Sequence, residues 1–374
     1  MRSVRLSQRI QHSTSMIIKR HILDKKRREL FRCNYAFANE IAAYCHLMPV
    51  LKSFSHDSLP YPNCLFAGCD EAGEIIAMED LTHQGYKMVN RQQGLDFEHC
   101  SVVLKELAGF HALSLAMKVF DPVTFYDAAS KMHEVVFTED ATEFYSQVLD
   151  NTLTGALSSL GYSNVNGELD KAIEILKHLK GEQLYSSMFD TVVNSSNNWK
   201  VICHGDLWIN NLMFHYHNGK VKHVKFVDLQ TIRYTNLTTD ILMFLYSSTE
   251  GELRQKHLDR LINIYCESLI SNLREYLEKN YRHELATLED EFSFENVKHE
   301  FAIQSLYGLG TSLWVMPAIT FKSLSTKMDS FVENLIDQEA NDEIRQPELF
   351  HSRVREIVKE FYERGFLDNI FIDI

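Results

Sequence analysis

The sequence has no surplus of basic residues: 38 Lys and Arg stand against 51 Asp and Glu, a formal charge of −13. That balance excludes nucleic acid as the main partner, because phosphate backbones are held by clustered Lys and Arg. A nucleotide remains compatible, since it needs only a few local cations and a metal. No CxxC pair occurs among the seven cysteines Cys33, Cys45, Cys64, Cys69, Cys100, Cys203 and Cys266. An odd number of scattered thiols fits a reducing compartment rather than a disulfide framework. Cys203, although beside His204, reads as a core thiol at a strand end. No stretch reaches the ~18 apolar residues that span a bilayer, and the best candidate, Leu309 to Thr320, is too short. Internal repeats and low-complexity linkers are also lacking.

The 374 residues suit two lobes that share a cleft. Val4–Leu6 and Met16–Lys19 are short β-prone runs, read as a hairpin. Asp24 through Tyr44 then turns helical, with Leu30, Phe37, Ile41 and Tyr44 on one face. Strands follow near Cys64–Ala67 and Ile75–Met78, joined by a turn at Asp70–Gly73. Beyond Leu81 helices dominate: Glu98 to Met117, with Val103, Leu107 and Phe110 on one face, then Leu253–Lys279, Phe294–Leu309 and Arg353–Tyr362. The expected class is α+β, with a small antiparallel sheet-plus-helix lobe over residues 1–82 and a large, mainly helical lobe over residues 83–374. The first 23 residues carry five basic residues and no acid, as presequences do. Ser15–Lys19 nevertheless reads as a strand, so a cytoplasmic location is expected.

One hairpin interrupts the helical part. Leu212–His217 and Lys220–Val227 flank Asn218-Gly219, the strongest short-range signal for a type I′ turn. Counting back from that turn places Asn211 opposite Phe226. Asn211 and Asp228 then share the open end of the hairpin. His215 and His217 lie on one strand face, but with no third ligand in view they read as solvated rather than as a zinc site.

Phosphoryl transfer asks for a carboxylate to orient or accept the proton of an attacking hydroxyl, and for magnesium on the triphosphate. Magnesium takes hard oxygen ligands, commonly carboxylates and phosphates. His204-Gly205-Asp206 is followed five residues on by Asn211, and the hairpin then delivers Asp228. Carboxylate, amide and second carboxylate thus converge with the spacing of a catalytic loop and a metal-binding aspartate. The tripeptide alone is a weak signal; the whole constellation is a strong one.

Cys203-His204-Gly205-Asp206-Leu207-Trp208-Ile209-Asn210-Asn211-Leu212-Met213-Phe214 resembles the signature of the ecdysteroid-kinase-like family, relatives of choline and aminoglycoside kinases. Phe226-Val227-Asp228-Leu229-Gln230 resembles its metal-binding strand, with Gln where protein kinases have glycine. Met78-Glu79-Asp80-Leu81 with Gly85-Tyr86 resembles its hinge, and Leu107–Ala112 the helix opening its large lobe. The likeness runs from about residue 4 to about residue 335. It implies a two-lobed protein-kinase-like fold and the cofactors ATP and Mg²⁺. By resemblance Asp206 is the catalytic base, and Asn211 and Asp228 hold the metal. Lys19 would contact the α- and β-phosphates, Glu40 would fix Lys19, and Glu79, Asp80 and Leu81 would offer backbone groups to adenine. Asp240 would brace the catalytic loop, and His204 would support its geometry.

The front end departs from the family. No glycine precedes Gly68 and eighteen residues precede Lys19, so the chain as written holds no residues for a first strand and a phosphate-covering loop. Slow turnover and poor ATP binding are therefore expected of it. The leading expectation is ATP-dependent phosphotransfer to an alcohol group of a small molecule, an ecdysteroid-like steroid being favoured by the resemblance. The alternatives are a choline- or aminoglycoside-type acceptor, or a catalytically silent binding protein. Trp208, Tyr307 and Trp314 would suit a flat ligand but read first as core. No activation-segment pattern follows Asp228, which argues against a protein kinase.

Overall fold

A computed structural model of the chain describes residues 15–20, 25–30, 32–55, 58–71, 73–164, 166–320 and 347–371. The expected strand at Val4–Leu6, and with it the question of the phosphate-covering loop, lies outside the described residues.

The architecture is α+β, as expected. Strands β1 (Met16–Arg20), β2 (Cys64–Asp70) and β3 (Gly73–Glu79) form an antiparallel sheet in the order β1-β3-β2. Lys19 pairs with Ile76 and Met16 with Glu79. The expected single helix between β1 and β2 is instead broken. Helix α1 (Lys25–Leu30) gives way at Arg32, whose φ is 49°, to α2 (Cys33–Ala42), a widened turn at Ala43–Leu47, and α3 (Met48–Phe54). A left-handed residue cannot continue a right-handed helix. After the break the expected apolar face is seen at Phe37 and Tyr44, which are buried.

Helix α4 (Phe97–Phe120) starts at Asp96, whose carboxylate accepts the His99 N–H at 2.9 Å. It is largely apolar, with Val103, Leu104, Leu107 and Ala108 all fully buried and Glu98 and Lys105 exposed. Among the described residues it is the one helix long and apolar enough to cross a membrane, against the expectation that no stretch qualifies. Most of it is buried within the protein, as a central core helix. Helices α5 (Pro122–Ala129), α6 (Thr142–Ser163), α7 (Asp170–His178) and α8 (Gly181–Phe189) follow. Strand β4 (Lys200–Cys203) pairs with β7 (Arg233–Asn236), and the hairpin β5 (Leu212–His217) with β6 (Lys220–Phe226) lies between them. Helices α9 (Thr238–Ser248), α10 (Gly251–Leu277), α11 (Arg282–Glu291), α12 (Phe294–Ile303), α13 (Ser305–Thr320) and α14 (Pro347–Glu363) complete the body. The expected helix Phe294–Leu309 is divided at Gln304, which ends α12.

The Asn218-Gly219 turn forms as read, with φ of 52° and 75°, and His217 pairs with Lys220. The register counted back from it does not hold. A bulge at Lys222 puts His215 opposite His223, so Leu212 rather than Asn211 faces Phe226. One extra residue shifts everything beyond it by a position. Asn211 instead accepts the Val227 N–H on its carbonyl at 3.0 Å, which still leaves it at the open end beside Asp228.

Candidate active site

The loop His204-Gly205-Asp206 leaves β4 and is held from below by Asp240, in the first turn of α9. Asp240 Oδ2 accepts the His204 N–H at 2.7 Å and Oδ1 accepts the Gly205 N–H at 2.9 Å. His111 Nε2, from α4, donates to Oδ2 at 3.3 Å, and the Tyr265 hydroxyl lies 2.7 Å from the other ring nitrogen. Burial works to raise the Asp240 carboxyl, but the hydrogen bonds from His111 and Gly205 outweigh it and hold it below the ordinary range. Cys203, beside this network, is fully buried and its thiol is pushed well up by burial, in keeping with a core role.

Gly205 is required where it stands. Its φ is 81°, and a Cβ there would meet the Thr231 carbonyl oxygen at 2.1 Å. Arg233 fills the neighbouring space: it donates to the Gly205 carbonyl at 2.9 Å and to both Glu134 oxygens at 3.0 and 3.1 Å. His204 accepts the Asp206 N–H on Nδ1 at 3.2 Å, so its proton is assigned to Nε2, which donates to the Val227 carbonyl at 3.0 Å. The imidazole therefore links the loop to the strand end before Asp228, as expected for a residue supporting loop geometry.

Asp206 and Asn211 meet. The amide Nδ2 of Asn211 donates to Asp206 Oδ2 at 2.9 Å and to its carbonyl at 2.8 Å, while Trp208 Nε1 donates to Oδ2 at 3.3 Å. Burial raises the Asp206 carboxyl; His204 opposes this and Asp228 adds to it. Asp228 has a φ of 72°, a left-handed conformation that costs a residue with a Cβ ~1–3 kcal/mol and is concentrated at functional sites. That geometry turns the chain sharply after β6 and presents the carboxylate to Lys19.

Lys19 Nζ lies 3.0 Å from Asp228 Oδ1 and 3.0 and 2.9 Å from the two Glu40 oxygens. Burial works against its charge, but Asp228 and Glu40 outweigh it and its pKa is raised. Glu40 is fully buried, and burial pushes its carboxyl up to about 7, with Lys19 pulling the other way. The expected Lys19–Glu40 pair thus exists, with Asp228 as a third member.

At the hinge, the Glu79 carboxylate accepts from the Asn63 N–H at 2.8 Å and the Gln84 amide at 2.8 Å. Asp80 accepts from the Ser15 hydroxyl at 2.7 Å and the Thr82 N–H at 2.9 Å, and Leu81 is buried. The Asp80 carbonyl accepts from the His83 N–H, and the Leu81 carbonyl from both the Gly85 and the Tyr86 N–H. Both carboxylates are thus engaged by neighbouring donors. Of the three aromatic residues noted in the sequence, Tyr307 is core and Trp208 stands against Asp206.

Two contributors have no short-range signal in the sequence. One is Arg233 with Glu134, 99 positions apart. The other is Asn39, fully buried beside Glu40: its Nδ2 donates to the Gln230 and Ile232 carbonyls at 3.1 and 2.8 Å, and its Oδ1 accepts the His133 N–H at 2.9 Å. In the sequence Asn39 was visible only as an amide next to Glu40, on a helix whose other inward residues, Cys33, Ala36 and Phe37, are apolar.

The family model for the Ecdysteroid kinase-like family matches residues 3–278; the likeness expected to reach about residue 335 is matched only as far as residue 278. Among curated proteins none is significantly similar in sequence. Among solved structures, a spectinomycin phosphotransferase in complex with ADP and spectinomycin is 16% identical, over 75% of this chain and 84% of that one, with a TM-score of 0.37. A choline kinase from Cryptosporidium parvum is 14% identical, over 85% and 79%, with a TM-score of 0.40. An ethanolamine kinase from Plasmodium vivax is 11% identical, over 88% and 75%, with a TM-score of 0.35.

Proposed function

The chain belongs to the ecdysteroid kinase-like family, and from that premise we propose that it transfers the γ-phosphate of ATP to an alcohol group of a small molecule, with a hydroxylated steroid as the favoured acceptor. The observation that carries this reading is the convergence of Lys19, Glu40, Asp206, Asn211 and Asp228 from four separate segments at one place.

In the proposed mechanism Asp206 accepts the proton of the acceptor hydroxyl as its oxygen bonds to the γ-phosphorus and the bond to the ADP oxygen breaks. Its carboxylate is oriented for this by Asn211 and Trp208. Lys19, held by Glu40, meets the α- and β-phosphates. The donor set suits magnesium: Asn211 turns its nitrogen toward Asp206, which leaves Oδ1 as its lone-pair atom, and Asp228 adds hard carboxylate oxygen. Asn211 and Asp228 would hold the ion, which when bound neutralises charge on the phosphates. The left-handed backbone at Asp228 fixes that carboxylate without help from a ligand.

The test is an ADP-release screen with Mg²⁺ and ATP over ecdysteroids, other sterols, choline and glycosides. Phosphorylation of a steroid hydroxyl supports the proposal. Turnover confined to choline or to glycosides would reassign the acceptor class. No transfer to any of them, together with no Mg·ATP binding, would leave a silent binding protein.

A further inference from the structure

Between α5 and α6 the segment His133–Thr138 belongs to no helix or strand, yet most of its backbone is tied down. Glu134 Oε1 accepts the Val136 and Phe137 N–H groups at 2.8 and 2.9 Å. The Tyr185 hydroxyl, from α8, accepts the Thr138 N–H at 3.0 Å and donates to the Val136 carbonyl at 3.0 Å. A segment whose polar groups are satisfied in this way is fixed without regular structure.

This segment grips α2 at two points. At one end the His133 N–H donates to Asn39 Oδ1 at 2.9 Å. At the other the Thr138 hydroxyl accepts from Arg32 Nη1 at 2.6 Å, and Asp140 just beyond it meets Nη2 at 3.1 Å. Arg32 and Asn39 are about two helical turns apart. They meet the segment in reverse order, so it runs antiparallel along α2. A helix held at one point can pivot about it, whereas one held at two points moves only when a grip breaks. The next residue after Asn39 is Glu40, whose carboxylate holds Lys19.

The middle of the segment is joined to the catalytic loop. Both Glu134 oxygens accept from Arg233 Nη1, at 3.0 and 3.1 Å, and Arg233 Nη2 donates to the Gly205 carbonyl at 2.9 Å. The Arg233 guanidinium also lies over the Phe137 ring, 5.4 Å from its centroid, which fastens it to the same segment a second time. Arg233 is buried, and a buried cation separated from its partner is strongly disfavoured, so this joint stays closed.

We infer that His133–Thr138 is a strap that couples the position of α2 to the catalytic loop, with Glu134 as a positioning residue. Glu134 acts through Arg233 on the loop carrying Asp206, and through the strap's backbone on Glu40 and Lys19. The consequence for ATP rests on the phosphotransfer reading; the coupling itself is a property of the fold.

The test is amide hydrogen exchange on the full chain, with calorimetric titration of Mg·ATP, for the parent, Glu134→Gln and Arg32→Met. Glu134→Gln keeps an oxygen for the Val136 and Phe137 N–H groups but drops the charge that holds Arg233. Both variants should exchange about fivefold faster in α2 and bind Mg·ATP about fivefold more weakly, the size that loss of one hydrogen bond gives. If Glu134 only packs locally, exchange will rise in the strap while α2 behaves as in the parent, which would overturn the inference. Should Glu134→Gln fail to fold, Arg32→Met decides from the other end, because coupling is reciprocal. Exchange at His204–Asn211 should then rise, and an unchanged catalytic loop would overturn the strap. A parent that binds no Mg·ATP would count against the phosphotransfer reading, and the exchange pattern would still judge the strap.

Discussion

Lys19 Nζ and Asp228 Oδ1 are 3.0 Å apart although 209 positions separate them in the chain. The contact brings the small sheet and the strand end after the hairpin into one cluster, with Glu40 behind the lysine and Asp206 and Asn211 beside the aspartate. The first two predictions test the roles proposed for that cluster, and the next two test what holds it in place.

Asp206→Asn should lower turnover by at least ~100-fold, since a positioned base typically contributes 10²–10⁴. The amide keeps the shape and can still meet Asn211, but it cannot take the hydroxyl proton. Steady-state ADP release on an accepted alcohol, with a thermal melt to confirm the fold, measures this. Near-full activity would remove Asp206 from the role.

Asp228→Ala should weaken Mg·ATP binding more than Asn211→Ala. A carboxylate cancels metal charge, whereas an amide offers only a lone pair. The Asp228 change also takes one of the two carboxylates away from Lys19. Calorimetric titration of Mg·ATP into both variants ranks them, and equal losses would contradict the ranking.

Asn39→Leu is expected to cost ~1–3 kcal/mol of stability, because it leaves the Gln230 and Ile232 carbonyls and the His133 N–H without their buried partner. Those carbonyls belong to the segment directly after Asp228, so Mg·ATP affinity should fall with the stability. Urea unfolding together with the same titration separates the two effects. A variant as stable as the parent and unchanged in binding would show that the amide only fills space.

Asp240 carries the pH dependence of the loop. Its folded pKa lies below the ordinary value, so its contribution to stability is present in full above about pH 5 and is lost as pH falls through ~4 and below. Asp240→Asn removes the charge and turns an amide donor toward N–H groups. It should cost at least ~2 kcal/mol at pH 7, and the gap to the parent should narrow as pH falls below ~4. Urea unfolding at about pH 7, 4 and 3 reads the slope, and a gap that stays constant down to the lowest of these would rule out the assigned ionisation.

Local signals in this chain proved readable where one residue's chemistry decides the backbone. Asn218-Gly219 turned as expected because both positions tolerate positive φ. The Lys19–Glu40 pair was legible because a strand-end lysine and a glutamate on the following helix can meet with few residues between them. The bulge at Lys222 was not: a type I′ turn fixes the register only near itself, and packing farther along the hairpin decided the shift. The break at Arg32 escaped for a similar reason. Its guanidinium reaches Thr138 at 2.6 Å and Asp140 at 3.1 Å in the large helical body, contacts that helical periodicity cannot register.

The sequence by itself determined the family, the α+β class, the residue types of the candidate site and its two-segment spacing from His204 to Asp228. These follow from short-range chemistry: turn residues, amphipathic periods and the donor set that phosphate and magnesium require. Only the tertiary structure decided that Asn39 clamps the segment after Asp228, that Arg233 and Glu134 carry the Gly205 carbonyl, and that His133–Thr138 grips α2 at Arg32 and Asn39. Each of those depends on segments that meet only after the helices have packed, and on whether a buried polar atom finds its partner there, which no local pattern in the chain encodes.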